Sequence, residues 1–240
     1  MLRKIKNWCL SKSRNWRFDT LLPIKPSIFY CDIMEICIDP NILCRLPIER
    51  QNRIRASIKP IKAKQLYASS LLTFFIFEKY GIKSPAIQTS EYGKPYIGEG
   101  LYFNISHSGR FVVLAINPYD EIGIDIQEKN PVSDYAAEMF FSRNILGHRS
   151  INERMAFYNS YLWCRYEAFL KCLGVGWNFT IKHKLPVLKH SVHHHETTYY
   201  FTDYRISEHY FTTLCEKNYH VEFPVEEVCF RELELFCRPD

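Results

Sequence analysis

Long hydrophobic runs are missing from this 240-residue chain. The longest, Leu66 to Phe77 (LYASSLLTFFIF), is 12 residues and is interrupted by serines, whereas a helix that crosses a bilayer needs about 20 apolar residues. No membrane span is expected. Glycine (9) and proline (12) are scarce, which removes collagen-like and low-complexity classes. None of the nine cysteines falls in a C-x-x-C pair, and their number is odd. Zinc ribbons and disulfide frameworks therefore lose support. The simplest account is a reducing compartment in which several cysteines act as small core hydrophobes, and a cytoplasmic location is expected. There is no G-x-S-x-G elbow, so a serine hydrolase is not indicated. No internal repeat or long linker is visible.

What remains describes an ordinary globular protein of one large or two small domains, with 47% hydrophobic residues to build a core. The charge is uneven. Residues 1–26 carry Arg3, Lys4, Lys6, Lys12, Arg14, Arg17 and Lys25 against Asp19 alone, so the rest of the chain is close to neutral. This segment reads as a flexible or loosely packed basic extension, with a targeting segment as the alternative. A nucleic-acid reading would rest on it and on residues 50–64, where Arg50, Arg53, Arg55, Lys59, Lys62 and Lys64 meet no acid.

Periodicity supplies the elements. Ile28 to Ile38 reads as a strand, and Pro60 opens a helix that runs through Leu66, Leu71, Phe74 and Phe77 to a stop at Gly81. Leu101 to Ser106 and Phe111 to Ile116 read as strands joined by a turn at His107-Ser108-Gly109-Arg110, and Ile122 to Gln127 as a third strand. Ser133 suits the N-cap of a helix containing Met139, Phe140 and Phe141. The strongest helix signal spans Glu153 to Leu173 and ends at Gly174. The remaining chain, with Tyr199 to Ile206 and Tyr210 to Cys215, reads as strands. Helices and strands mix without regular alternation, which predicts an α+β fold.

Two places break the core pattern in a way that packing does not require. In Ile122-Gly123-Ile124-Asp125-Ile126-Gln127 the isoleucines share one strand face, which leaves Gly123, Asp125 and Gln127 on the other. On the long helix, Trp163, Glu167 and Lys171 recur every four residues and form a stripe beside the apolar face. Singly, the acid reads as a turn or edge residue and the Glu–Lys pair as a surface ion pair. Together, Asp125 and Glu167 could give oxygen ligands to magnesium, which takes one or two carboxylates plus phosphate oxygens and water. Lys171 would lie one helical turn away, placed to hold a phosphate. Asn104 to Gly109 concentrates polar groups in a turn. The tract His193 to His195, near His183 and His190, has no His–Cys spacing that would make it a metal site.

Taken in order, Gly93-Lys94-Pro95, Phe103-Asn104-Ile105-Ser106-His107-Ser108-Gly109, Gly123-Ile124-Asp125-Ile126, Phe140-Phe141-Ser142 and Trp163-x-x-x-Glu167-x-x-x-Lys171-x-x-Gly174-x-Gly176 resemble the 4′-phosphopantetheinyl transferases. The resemblance is to the larger, monomeric type that activates peptide and polyketide synthetases, and it covers about residues 28–215. It implies two similar α+β halves related by a pseudo-twofold axis, here 27–118 and 119–240 after the extension 1–26. It also implies transfer of phosphopantetheine from coenzyme A to a serine of an apo acyl or peptidyl carrier protein, with magnesium as cofactor and no membrane or nucleic-acid partner. By position, Asp125 and Glu167 match metal ligands, and Gln127 takes the place of a third that is usually Glu. Lys171 matches the lysine that meets the phosphates, with Glu167 or a metal-bound water as base. Lys94, Pro95, Ser106 and His107 match the coenzyme A site, and Arg50, Arg53 and Lys64 fall where the 3′-phosphate is held. Met139, Phe140 and Phe141 with Arg143 and Arg149 form an expected carrier-docking patch. Tyr166 and Ile145 depart from the family pattern. The competing readings are a catalytically degenerate carrier-protein binder and an RNA-binding module.

Overall fold

The computed structural model describes residues 24–82, 87–98, 100–129, 153–176, 187 and 189–237, with backbone only for 153–159. The expected helix at Met139–Phe141, its Ser133 cap and the docking patch lie outside the described residues.

The chain is α+β, built as four layers. Strands β1 (Ser27–Asp32), β4 (Tyr102–Ser108), β5 (Phe111–Asn117) and β10 (Val225–Glu227) form one sheet in the order β10-β1-β5-β4. A second sheet has the order β6-β9-β8-β7, from β6 (Ile122–Glu128), β7 (Ser191–His194), β8 (Thr197–Tyr204) and β9 (Tyr210–Lys217). A small hairpin pairs β2 (Gln88–Thr89) with β3 (Pro95–Tyr96). Short helices α1 (Pro40–Leu43) and α2 (Ile48–Arg55) precede the long α3 (Pro60–Lys79). Helix α4 (Glu153–Leu173) covers the second sheet, and α5 (Phe230–Cys237) closes the chain. No described helix is long and apolar enough to cross a membrane.

Alternation along the strands explains the layering. On β1 and β5, Phe29, Cys31, Val112, Leu114 and Ile116 face the α3 side in one core cluster. Ile28, Val113 and Ala115 face the other way, where they meet Ile122, Ile124, Ile126, Tyr210 and Leu214 of the second sheet. That is why β5 is buried along its whole length. The far face of the second sheet, with Tyr199, Phe201 and Cys215, packs against Leu162, Tyr166 and Phe169 of α4. Both expected long helices form at their expected places, and α3 ends before Gly81, whose φ of +69° is easy for glycine.

Some elements differ from expectation. Strand β1 stops at Asp32, because Ile33 to Ile36 turn back on themselves through an Ile36-to-Ile33 backbone bond. The β4–β5 turn shrinks to Gly109-Arg110, since His107 and Ser108 pair with Val112 and Phe111. Gly109 takes a φ of +47° there, and Arg110 N donates to Tyr210 Oη. The chain end, expected as strand, forms α5, whose Leu233 is buried and whose Phe236 packs edge-on against Phe75 of α3. Strand β10 pairs in parallel with β1. The last strand and helix thus return to the first sheet across the 118/119 division.

The two sheets meet edge to edge at β4 and β6, and the joint is a ladder of side chains. Asn104 Oδ1, Ser106 Oγ and Ser108 Oγ accept from Ile124 N (2.9 Å), Ile126 N (3.4 Å) and Glu128 N (3.0 Å). Every second residue of β4 therefore satisfies an amide that an edge strand would otherwise leave without a partner. On its opposite face β6 meets α4 at Gly123. A Cβ there would run into the Ala168 carbonyl oxygen and the Cys172 amide nitrogen and stand 2.8 Å from the Lys171 carbonyl carbon. All three are backbone atoms with no side chain to swing aside. Gly123→Ala is expected to cost roughly 3 kcal/mol or more, seen as a drop in the urea midpoint of unfolding. An unchanged midpoint would mean that the helix does not press on the strand.

Candidate functional site

The close approach at Gly123 brings one face of α4 onto the polar face of β6. Cys164, Glu167, Ala168 and Lys171 recur at three- and four-residue steps on that helix face. Cys164 Sγ lies 3.4 Å from the Asp125 carbonyl oxygen. Asp125 is buried, with 2% of its surface exposed. Its Oδ1 accepts from Ser106 Oγ at 2.6 Å and from Lys171 Nζ at 2.5 Å. Lys171 Nζ also donates to Ser106 Oγ at 2.9 Å and stands 3.4 Å from Glu167 Oε2. A strand, a helix and the edge of the other sheet thus place four polar groups at one point.

The electrostatics there are unbalanced. Asp125 Oδ2 is buried without a donor. The Glu167 carboxyl lies within hydrogen-bonding reach of Asp125, and burial, followed by the Asp125 charge, pushes it up to about 7. Burial disfavours the Lys171 ammonium, but Asp125 and Glu167 more than offset this and hold it above the usual lysine range. Two carboxyls facing one lysine keep an unsatisfied oxygen that only a proton or a cation can serve.

Positive charge gathers beside it. Lys62 Nζ sits 3.0 Å from His107 Nε2. Burial, then the Lys62 charge, pushes His107 down to about 4, so it is neutral at physiological pH and accepts from the lysine. Lys62 is itself lowered by burial and by Arg53, Lys171 and Arg50, and Arg50 by burial and Arg53.

The structure therefore brings Asp125, Glu167, Lys171 and Ser106 together, with Gln127 half-buried on the same strand face. His107, Arg50 and Arg53 group next to them through the charge of Lys62. Other expected site residues lie elsewhere. Lys64 donates to the Met34 carbonyl at 3.2 Å, toward the loop after β1. Lys94, only 12% exposed, pairs with Glu121 and donates to the Ile122 and Cys172 carbonyls, each at 3.2 Å, at the C-terminal end of α4. Pro95 pairs with Thr89 in the small hairpin. Trp163 packs against the α4 core. Among the described residues no group of three or more His, Cys, Asp or Glu is arranged for a metal, the histidine tract included.

Sequence reasoning missed Lys62. It stood in the list of six basic residues with nothing to single it out. The available signal was its position three residues before Gln65 on α3, whose Nε2 donates to the Gly109 carbonyl at 3.0 Å. One helix face thus looks at the β4–β5 turn.

An α+β protein whose two acids and lysine converge where its sheets join, flanked by cations, is built to act on a phosphorylated ligand. No family model matches this chain. It is 30% identical over 209 residues to the 4′-phosphopantetheinyl transferase Sfp of Bacillus subtilis (strain 168), which covers 78% of this chain and 88% of Sfp. It is 36% identical over 141 residues to the 4′-phosphopantetheinyl transferase ffp of Bacillus subtilis, covering 55% of this chain and 59% of ffp. With the 4′-phosphopantetheinyl transferase gsp of Aneurinibacillus migulanus the figures are 32% over 132 residues, 51% and 54%. The matched stretch thus spans most of Sfp and a little over half of ffp and gsp. The chain belongs to the 4′-phosphopantetheinyl transferases, the enzymes that move phosphopantetheine from coenzyme A to carrier proteins.

Ser106 is the hinge of the polar cluster, since it serves Asp125, Lys171 and the Ile126 amide at once. Ser106→Ala is expected to destabilise the fold by about 1–3 kcal/mol, because it strips a donor from a buried carboxylate. Denaturant unfolding checks this, and a loss below about 0.5 kcal/mol, the range of an ordinary surface substitution, would contradict the arrangement.

Proposed function

We propose that this protein transfers the 4′-phosphopantetheine group of coenzyme A to a serine of an apo acyl or peptidyl carrier protein, releasing 3′,5′-ADP. The observation that carries the reading is the buried, donorless Asp125 Oδ2 beside Glu167 and Lys171. The donor set fits a magnesium ion: Asp125 and Glu167 supply carboxylates, Gln127 can add an amide carbonyl, and phosphate oxygens and water complete the shell. When bound, the ion supplies charge neutralisation on the pyrophosphate.

The chain's own residues do the rest. Lys171 holds a phosphate oxygen near the attacked phosphorus, and Ser106 keeps Asp125 and Lys171 in register. Asp125 is engaged by two donors, so Glu167, with 23% of its side chain exposed, is the group open to an incoming serine hydroxyl. It takes the proton directly or through a water. Little else is asked of the protein beyond alignment and charge. Arg50, Arg53 and His107 face the nucleotide. Lys94 acts through position, securing the end of α4, and Pro95 shapes the hairpin beside it.

Two halves, each a four-stranded sheet under a long helix, are related by a pseudo-twofold axis through the β4–β6 joint. Residues 139–141 with Arg143 and Arg149 are the proposed carrier-docking patch. The enzyme works as a cytoplasmic monomer without membrane or nucleic-acid partners. The degenerate and RNA-binding readings remain as outcomes of the test.

Incubation with coenzyme A, magnesium and an apo carrier domain is expected to add the mass of one phosphopantetheine to the carrier, read by intact mass. Asp125→Ala and Glu167→Ala are expected to slow this at least a hundredfold, as loss of a charge-stabilising group in a reaction centre does. No added mass with a range of carriers would overturn the transferase reading. Gln127 offers one negative charge fewer than the family's usual Glu at this position. Gln127→Glu is expected to lower the magnesium concentration giving half-maximal rate, and identical magnesium curves would contradict a role for this residue at the metal.

A further inference from the structure

The notable charge imbalance outside the carboxylate cluster is at Arg50, Arg53 and Lys62. None of the ion pairs among the described residues involves any of the three. Lys171, by contrast, already faces two carboxyls. The nearest polar partner of Lys62 is the neutral ring of His107 at 3.0 Å, which accepts a hydrogen bond but cancels no charge. Three cations that raise one another's energy, with no acid among them, form a site that lacks its anion.

Resting on the transferase reading, we infer that Lys62, and not Lys64, is the α3 lysine that recognises the phosphomonoester of coenzyme A and so sets the preference for coenzyme A over dephospho-coenzyme A. Lys64 is turned away to the Met34 carbonyl. A phosphomonoester carries close to two negative charges at neutral pH and three acceptor oxygens. It is the most highly charged single group on the ligand, and it answers the trio of cations better than a pyrophosphate oxygen that Lys171 already serves. His107 Nε2 holds the ammonium in place before the ligand arrives and releases it to a phosphate oxygen, a small side-chain swing with no backbone cost. Lys62 is exposed at the start of α3, so its replacement leaves the core untouched.

The test is calorimetric titration of the full-length protein with coenzyme A and with dephospho-coenzyme A, which differ only in that phosphate. The wild type is expected to bind coenzyme A more tightly. Lys62→Gln is expected to weaken coenzyme A binding roughly tenfold or more, the value of a charge-assisted hydrogen bond, while dephospho-coenzyme A changes less than twofold. Lys62→Arg is expected to recover most of the loss. Lys59→Gln, the same charge change three residues away at the exposed N-cap of α3, is expected to leave both affinities within twofold. If Lys62→Gln loses nothing, or loses equally on both ligands, the assignment of Lys62 is overturned while the transferase reading stands. If the wild type binds neither nucleotide, both fall.

Discussion

The β4–β6 joint is the constraint on which the rest of the molecule depends. Two sheets that meet at their edges normally leave amides exposed to solvent or buried without partners. Here Asn104, Ser106 and Ser108 replace the missing backbone partners, one per alternate residue. The same period of two that lines them up along β4 fixes the register of β6 against it. Register then decides chemistry. Because Ser106 meets Ile126 N, it also meets Asp125 Oδ1, and Lys171 reaches both from the helix on the other side. A slip of one residue would exchange the Gly123-Asp125-Gln127 face for the isoleucine face and bury the acid among Leu214 and Phe223.

The site is assembled at an energetic cost that a ligand relieves. Burying Asp125 and crowding Glu167 against it raises the energy of both carboxylates, and gathering Arg50, Arg53 and Lys62 does the same for the cations. Opposite charges stand in adjacent compartments rather than in mutual ion pairs, with Lys171 as the link between them. A polyphosphate with its counter-cation satisfies both groups at once. That is the physical sense in which the geometry is preorganised for phosphoryl transfer.

Much of this was legible in the chain. The isoleucine alternation of Ile122 to Ile126 located the acid on its own face, and the four-residue step from Glu167 to Lys171 put both on one helical stripe; both are local patterns and both hold. What periodicity could not give was the meeting of strand and helix. That depends on Gly123, whose meaning is the absence of a Cβ at a backbone contact some 45 residues away in the chain. The resemblance to the transferase family supplied that pairing, and the geometry explains it. The return of β10 and α5 to the first sheet escaped notice because parallel pairing with β1 spans nearly 200 residues and leaves only a short, solvent-facing strand. Residues 230–237 did carry a helical pattern in Phe230, Leu233 and Phe236, short enough to be overlooked. Lys62 and Lys64 were indistinguishable in composition, and only the rotation of α3 separates them.

The most direct measurement is a crystal structure of the protein with coenzyme A and magnesium. The account requires the pyrophosphate to lie at Lys171, with Asp125 Oδ2 and Glu167 turned toward one cation that also touches a phosphate oxygen. A nucleotide bound elsewhere, or Asp125 and Glu167 directed to opposite sides of the β6–α4 contact, would contradict it.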